Sequence, residues 1–368
     1  MRILVTGGAG FVGSALCRHL VGEKGISVLN VDKLAYATKP SSLEPIANNP
    51  NYRFLKADIC ERAVMDQALF QFSPNAIIHL AARNNLNRSL GGVDTFINAN
   101  IVGTYTVLEA ARGYWSGLGG AAKDAFRFLQ ASTDEVYGSL GWDGLFTEQT
   151  AYEPSTPYAA SKAASDHLVM AWHRTYGFPA LISNCCNNYG PYQFPAEPLP
   201  SMILNAVDGR PLTIHGDGSY ARDWLHVDDH ARALLTILEK GQVGERYNVG
   251  GRNEHTDLDL AIRICEILNI RYPDKPSHGL LITSVEDPPG KDQRRGIDAT
   301  KLEHELQWRA QESFESGLEA TIDWYLANRD WWEPLRRNAR DGRQISPKHD
   351  EASSKTSRFE APCSMDAS

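Results

Sequence analysis

Short apolar runs recur along the first half of the chain, at residues 2–6, 27–31, 53–57, 76–80, 126–131 and 180–185. Between them lie longer stretches with helical patterning, over 11–23, 61–71, 93–114 and 158–176. Near-continuous apolar runs suit strands buried on both faces, and the stretches between them suit covering helices. Regular alternation of the two predicts an α/β chain with a doubly wound parallel sheet. After residue 186 the pattern turns irregular and rich in Pro and Gly (NNYGPYQFPAEPLP), with helices predicted near 200–208, 228–239, 256–269 and 314–327. This part reads as a smaller C-terminal substrate lobe laid over the C-terminal strand ends, where open α/β sheets hold ligands. The expected division is 1–181 with 222–252 and 311–330 in the first domain, and 182–221 with 253–310 in the lobe. From Trp331 the chain becomes charged and Ser-rich. Residues 341–368 hold too few apolar side chains to fold alone and are expected to be a disordered tail. The pair Trp331-Trp332 is expected to anchor the end of the last helix, and the basic run from Arg336 to Arg340 to be solvated.

The first strand-to-helix turn reads Thr6-Gly7-Gly8-Ala9-Gly10-Phe11-Val12-Gly13. Gly7 suits a tight turn, Gly10 lets the backbone approach a pyrophosphate, and Gly13 lets the helix pack closely on the sheet. The helix N-terminus then offers free N–H donors to phosphates. Asp32 ends the next strand, where a carboxylate accepts both hydroxyls of an adenosine ribose and repels a 2′-phosphate. The combination predicts a Rossmann-type domain that binds NAD rather than NADP, with Asp58 and Ile59 flanking the adenine.

Bulk composition narrows the classes. The 368 residues are 42% apolar and 22% charged, as in an ordinary globular protein. A net charge of −8 argues against general affinity for nucleic acid or anionic membrane, and no stretch reaches membrane-spanning length. The first strand starts at Arg2, so no signal peptide is expected. Six cysteines without a CxxC pair fit a reduced, cytoplasmic setting. His226 and His230 bracket Asp228 and Asp229, which reads as an acidic helix start; no metal is expected. Cys185 and Cys186 read as buried packing residues.

Candidate chemistry follows from two strings. Tyr158-Ala-Ala-Ser-Lys162 puts a phenol and an ammonium on one helix face. Lys162, together with a positively charged nicotinamide, is expected to lower the phenol from its ordinary value of about 10. Thr133 would add a hydroxyl from the neighbouring strand end, an arrangement that resembles the extended short-chain dehydrogenase/reductase superfamily. Residues 132–138 read STDEVYG, so Asp134 and Glu135 lie side by side where a strand ends. Hydride transfer alone does not need them. Oxidation of a sugar C4 hydroxyl acidifies the adjacent C5–H, so one carboxylate can take that proton while a protonated one donates to the departing C6 hydroxyl. Proximity of like charges favours one proton shared across the pair.

With these strings the chain resembles dTDP-glucose 4,6-dehydratases over about residues 1–330. The resemblance is carried by ILVTGGAGFVGS, VDKLAYA, HLAA, NIVGTY, STDEVYG, PSTPYAASKAASDHLV, NNYGPYQFP, RDWLHVDDHARAL, YNVGG and FESGL. It implies Asp134 as general acid toward the C6 oxygen, Glu135 as base at C5, and Thr133 and Tyr158 at the C4 hydroxyl. Lys162 would bind the nicotinamide ribose. The implied NAD site comprises Gly7, Gly10, Phe11, Val12, Gly13, Asp32, Lys33, Asp58, Ile59, Ala81, Tyr158 and Lys162. Nucleotide-sugar contacts are implied for Asn84, Leu86, Thr133, Asn187, Arg222, Asn248 and Arg294. The family is usually a homodimer through a four-helix bundle, here the helices near 93–114 and 158–176. Deoxysugar or surface-polysaccharide synthesis is the implied setting.

The string departs from the family in four places. Residues 83–87 read Arg-Asn-Asn-Leu-Asn in place of Glu-Ser-His-Val-Asp, and Ala196-Glu197-Pro198-Leu199 stands for Glu-Lys-Leu-Ile. Leu212-Thr213-Ile214-His215 replaces Leu-Pro-Ile-Tyr, and Lys291 and Arg295 replace a His and a Tyr. These changes keep open another nucleotide, such as UDP, or another hexose. A 4-epimerase, which would not need Asp134 and Glu135, and an NAD-binding scaffold without turnover complete the alternatives.

Overall fold

The computed structural model describes residues 1–34, 40–83, 94–287 and 292–340, with the side chains of 338–340 excepted. Seven strands form one sheet: β1 (Arg2–Thr6), β2 (Ser27–Asp32), β3 (Tyr52–Lys56), β4 (Ala76–His79), β5 (Arg127–Thr133), β6 (Ala180–Cys185) and, further along the chain, Arg246–Val249. Their spatial order is Arg246–Val249, β6, β5, β4, β1, β2, β3, and every pairing is parallel. The order reverses beside β1, as in a doubly wound sheet, which bears out the predicted α/β Rossmann-type class. Residues of β1, β4 and β5 alternate between two apolar clusters, Ile3 and Val5 toward one face and Leu4 toward the other. Burial on both faces is why these strands read as continuous apolar runs.

The six predicted strands and four predicted helices of the first half are present. The seventh strand, at Arg246–Val249, was not among the predicted strands: it reads RYNV, with an arginine and an asparagine breaking the apolar run that marks β4, a strand of the same length. The stretch expected as one helix over 93–114 is a short helix Asp94–Phe96, a π-helical turn Ile97–Val102 and a helix Gly103–Ser116.

The remaining strands are β7 (Asn187–Tyr189), β8 (Leu212–His215), β9 (Ala221–His226), β10 (Arg246–Val249, the sheet edge already described), β11 (Glu254–Thr256), β12 (Ile282–Val285) and β13 (Arg294–Arg295). A second sheet joins β11, β9 and β13, with β7 also on β9, and β8 pairs with β12. Strand β9 therefore lies in the second sheet, and the helix Phe314–Ala327 packs in one apolar cluster with Leu199, Ile203 and Leu260. Both fall outside the lobe boundaries expected from the sequence. Sequence distance is a poor guide here, because long connections return the chain to the lobe after crossing the first sheet.

Residues beyond the expected last helix form a further helix, Arg329–Arg340. Trp332 is buried and donates to the Tyr325 carbonyl at 2.7 Å, consistent with an anchor. Arg336, expected to be solvated, is instead buried and donates to Asp208 and Asn205, both at 2.8 Å. No described helix is long and apolar enough to cross a membrane. Asn84, Leu86, Lys291 and the tail 341–368 lie outside the described residues.

Candidate active site

β1 delivers the glycine turn to the C-terminal edge of the sheet. Gly7 has φ +74°, and a Cβ there would stand 2.6 Å from the Ala81 nitrogen. Glycine alone fits both the conformation and the space. A Cβ on Gly13 would stand 2.2 Å from the Gly7 carbonyl oxygen, so the helix Phe11–Arg18 can lie against the turn only without a side chain there. No side chain caps this helix, leaving its first N–H groups at the turn for an anion. At the tip of β2, Asp32 accepts from the Ala9 and Leu34 amides at 3.0 and 2.8 Å, and burial pushes its carboxyl upward. Beside it, Lys33 and Asp58 pair at 2.9 Å, and Ile59 is buried under Gly103. A turn that admits backbone-close phosphate, with a carboxylate one strand away, fits a dinucleotide.

β5 ends in the second constellation. Thr133 caps the short 3₁₀ turn Asp134–Tyr137, its Oγ1 accepting from the Glu135 amide at 3.3 Å. The cap is therefore the threonine, and neither acid is spent on it. Asp134 is 1% exposed, and burial raises its carboxyl to about 6, Arg295 opposing the rise. Tyr158 and Lys162 rise from the helix Pro157–Tyr176 opposite this strand end. Lys162 is buried and donates to the Ala131 carbonyl at 2.7 Å. The Tyr158 phenol is pushed well up by burial, then by Glu135 and Asp134. That is opposite to the lowering expected from Lys162: in this chain by itself, desolvation and the two carboxylates outweigh the opposing Arg295 guanidinium.

The predicted substrate residues divide. Asn187 faces the acids and accepts from Arg295 at 3.1 Å. Arg222 is buried beside Arg295, its guanidinium donating to the carbonyls of Ala221, Gln293 and Asp292, and burial together with Arg295 lowers it to about 10. Asn248 does not face the site. It is fully buried, accepting from the Tyr137 hydroxyl at 2.8 Å and donating to the Phe146 carbonyl at 2.9 Å, so it ties two loops together. Arg294 is also turned away, held by Glu254 at 2.7 Å and by the carbonyls of Gly141 and Gly144. Alternation along β13 sends Arg294 to one face and Arg295 to the other.

Three participants escaped the sequence reading. Asp166, one turn beyond Lys162, is buried and accepts from Ser132 at 2.6 Å and Tyr152 at 3.0 Å. The spacing 158, 162, 166 was available as its signal. Asp292, bonded to Ser155, lies 3.7 Å from Arg295. His79 bridges Thr6 and Thr104 and is held neutral, pushed down to about 3 by burial and then by Lys162. Among the described residues, no group of three His, Cys, Asp or Glu is placed to hold a metal. His226 caps the helix Val227–Lys240, and His230 bonds Asn188 at 2.6 Å.

The family model for GDP-mannose 4,6 dehydratase matches residues 4–321. A probable dTDP-glucose 4,6-dehydratase of Sinorhizobium fredii is 55% identical, over 94% of this chain and 98% of its own length. The chain belongs to the dTDP-glucose 4,6-dehydratase family. Another member, the dTDP-glucose 4,6-dehydratase of Neisseria meningitidis, is 52% identical over 90% of this chain and 95% of its own. A solved dTDP-glucose 4,6-dehydratase of Streptomyces venezuelae, crystallised with NAD bound, superposes with a TM-score of 0.83. It is 40% identical and is covered over 100% of its length, against 91% of this chain. Membership in this family agrees with the adjacent acids at the end of β5.

Proposed function

We propose that this chain is an NAD-dependent hydro-lyase that converts dTDP-glucose to its 4-keto-6-deoxy product. One observation carries the reading: Asp134 is buried next to Glu135 at the tip of β5, with Thr133 and Tyr158 at the same strand end. A hydride-transfer site without elimination has no use for that second pair.

NAD fits the glycine turn and Asp32. The residues to hold it are Gly7, Gly10, Phe11, Val12 and Gly13 at the pyrophosphate, Asp32 at the adenosine ribose, and Asp58 and Ile59 near the adenine. Lys33, paired with Asp58, and Ala81, against Gly7, complete its walls. Bound NAD supplies a hydride acceptor for C4 and gives the hydride back to C6. Its positive ring also supplies the counter-charge that the Tyr158 phenol lacks in the chain alone. Tyr158, as phenolate, takes the C4 hydroxyl proton while Thr133 holds that oxygen. Glu135 takes the proton from C5, and Asp134 gives its proton to the C6 oxygen, which leaves as water. When C6 is reduced, Glu135 returns its proton to C5. One proton passed from Tyr158 to Asp134 resets the site. Arg222 and Asn187 would contact the sugar or the diphosphate. In this reading residues 182–221 and 253–310, with β9, form the substrate lobe.

A homodimer is part of the proposal. Tyr105, Trp172 and Tyr176 form a chain of edge-on rings across the helices Gly103–Ser116 and Pro157–Tyr176. Tyr105 and Tyr176 are each about half exposed, as are Ile97 and Val102 nearby. An apolar face spanning two adjacent helices is what a four-helix interface requires.

The test is incubation with NAD and a panel of nucleotide hexoses, read by mass spectrometry for loss of water. dTDP-glucose should lose water, and Glu135→Gln and Asp134→Asn should stop that loss while NADH absorbance still appears. An isomerised hexose of unchanged mass, or water loss unimpaired in both variants, would refute the reading.

A further inference from the structure

The two acids share their pocket with Arg295. Its Nη1 lies 3.1 Å from Glu135 Oε1 and 3.7 Å from Asp292 Oδ2, and Nη2 donates to Asn187 Oδ1 at 3.1 Å. Its Nε stands 4.0 Å from Asp134 Oδ2. Among the described residues, neither of those last two atoms has a hydrogen-bond partner. The guanidinium side chain is 7% exposed, so little water screens it. Its contacts are unequal: it pairs directly with Glu135 and only approaches Asp134.

We propose that Arg295 is a positioning residue that divides the work of the two acids. By pairing with Glu135 it holds the negative charge of the pair there, at the base, and leaves the shared proton on Asp134, the acid. This rests on the dehydratase reading above. Two adjacent carboxylates in a dry pocket keep one proton between them, and burial favours its staying on Asp134, whose side chain is 2% exposed against 27% for Glu135. A fixed cation on Glu135 adds to that preference. At an effective dielectric constant of about 20, moving the negative charge from 4.0 Å to 3.1 Å from the cation favours that arrangement roughly tenfold.

Other groups facing the pair do not supply this bias. Arg222, on β9, is committed to three carbonyls and its charge favours ionised Asp134, against the bias, while Asp292 shares Nη1 of Arg295 with Glu135. Asp223, Cys185 and Tyr158 act on Asp134 or are acted on by it, and each adds negative charge only as pH rises. None of them is a cation placed on Glu135.

The experiment compares wild type with Arg295→Met and Arg295→Lys, each loaded with NAD, in single turnover of dTDP-glucose across pH. Loss of the charge should move the acidic limb of the elimination rate up by about one to two pH units. At a pH on that limb elimination should fall about tenfold for each pH unit the limb moves, with NADH accumulating because C4 oxidation continues. Lysine should bring the limb most of the way back. A limb unmoved in Arg295→Met, or one that lysine does not restore, overturns the assignment and leaves Arg295 a structural residue. If the methionine variant does not fold, Arg295→Gln, which keeps a donor toward Asn187, replaces it. Carboxyl carbon NMR of the NAD-bound protein, assigned with Asp134→Asn and Glu135→Gln, reads the same titration without turnover. Should wild type fail to dehydrate any nucleotide hexose, the functional reading falls, and the NMR midpoint still decides whether Arg295 controls the pair.

Discussion

Replacing Asp134 by asparagine should stabilise the protein while abolishing water loss. The carboxyl is moved by burial from an ordinary 3.8 to about 6. That displacement corresponds to about 3 kcal/mol held against the folded state once the group is ionised. The sign follows from the protons bound. Between about pH 4 and pH 6 the native state holds the proton more tightly than the unfolded chain, so stability falls as pH rises. The penalty is absent below the unfolded value and complete above the native one. An amide removes the penalty. Its buried NH₂ beside Arg295 would in turn lack an acceptor, at a cost of about 1–2 kcal/mol. Arg295 keeps Glu135 and Asp292, so it is not left unpaired. The net expectation is a gain of about 1–2 kcal/mol at pH 7.5 that turns into a loss of about 1 kcal/mol near pH 4, where the penalty has gone and the amide's cost remains. Urea unfolding of the NAD-free protein at several pH values measures it, with dehydration assayed in parallel. A stability difference that does not change with pH, or that favours wild type at pH 7.5, would refute the reasoning.

Gly13→Ala places a methyl against the Gly7 carbonyl, so it should cost about 1–3 kcal/mol and weaken NAD binding, read by thermal unfolding with and without NAD. Asp32→Ala should narrow the preference for NAD over NADP, measured as the ratio of dissociation constants; an unchanged ratio would remove Asp32 from the ribose. Arg294→Ala removes a mostly buried two-bond pair with Glu254 and the bonds to the Gly141 and Gly144 carbonyls, so it should cost about 1–3 kcal/mol by urea unfolding while leaving the dehydration rate as it is. Tyr105→Glu puts a charge into the exposed aromatic face, and sedimentation should show monomer where wild type is dimeric.

The parts of this molecule legible in the sequence are those fixed by local pattern. Parallel strands buried on both faces must be largely apolar, so β1, β2, β4, β5 and β6 announced themselves, and the partly exposed edge strand β3 showed through Phe54 and Leu55. The glycine turn was equally plain, because no other residue fits at Gly7 or Gly13. Asp134 and Glu135 were legible for the opposite reason: two adjacent acids at a strand end violate what stability alone would choose. Long-range placement was not legible. Asn248 looked like a sugar ligand, yet the residues that engage it, Tyr137 and Phe146, lie about a hundred positions earlier in the chain. Nothing around YNVGG announces that meeting. Arg336 likewise read as solvated because its partners, Asp208 and Asn205, lie across the lobe.

The pair Arg294-Arg295 shows how narrow the margin can be. Both are arginines in a two-residue strand, and sequence offers no way to choose between them. The choice is made by register: β13 lies parallel to β9, with Arg294 opposite Ala221 and Arg295 opposite Arg222. Side chains alternate across a strand, so this register sends Arg295 toward Glu135 and Arg294 toward Glu254. A slip by one residue that put Arg294 beside the acids would bring Gln293 into its place and strip Glu254 of its partner. What pins the register lies outside the strand. Leu140 donates to the Arg294 carbonyl at 2.9 Å and Phe146 to the Gly296 carbonyl at 2.9 Å, so the segment 140–146 clamps β13 on both sides of Arg295. The electrostatics of the acid pair therefore depend on backbone bonds made by a segment that touches neither acid.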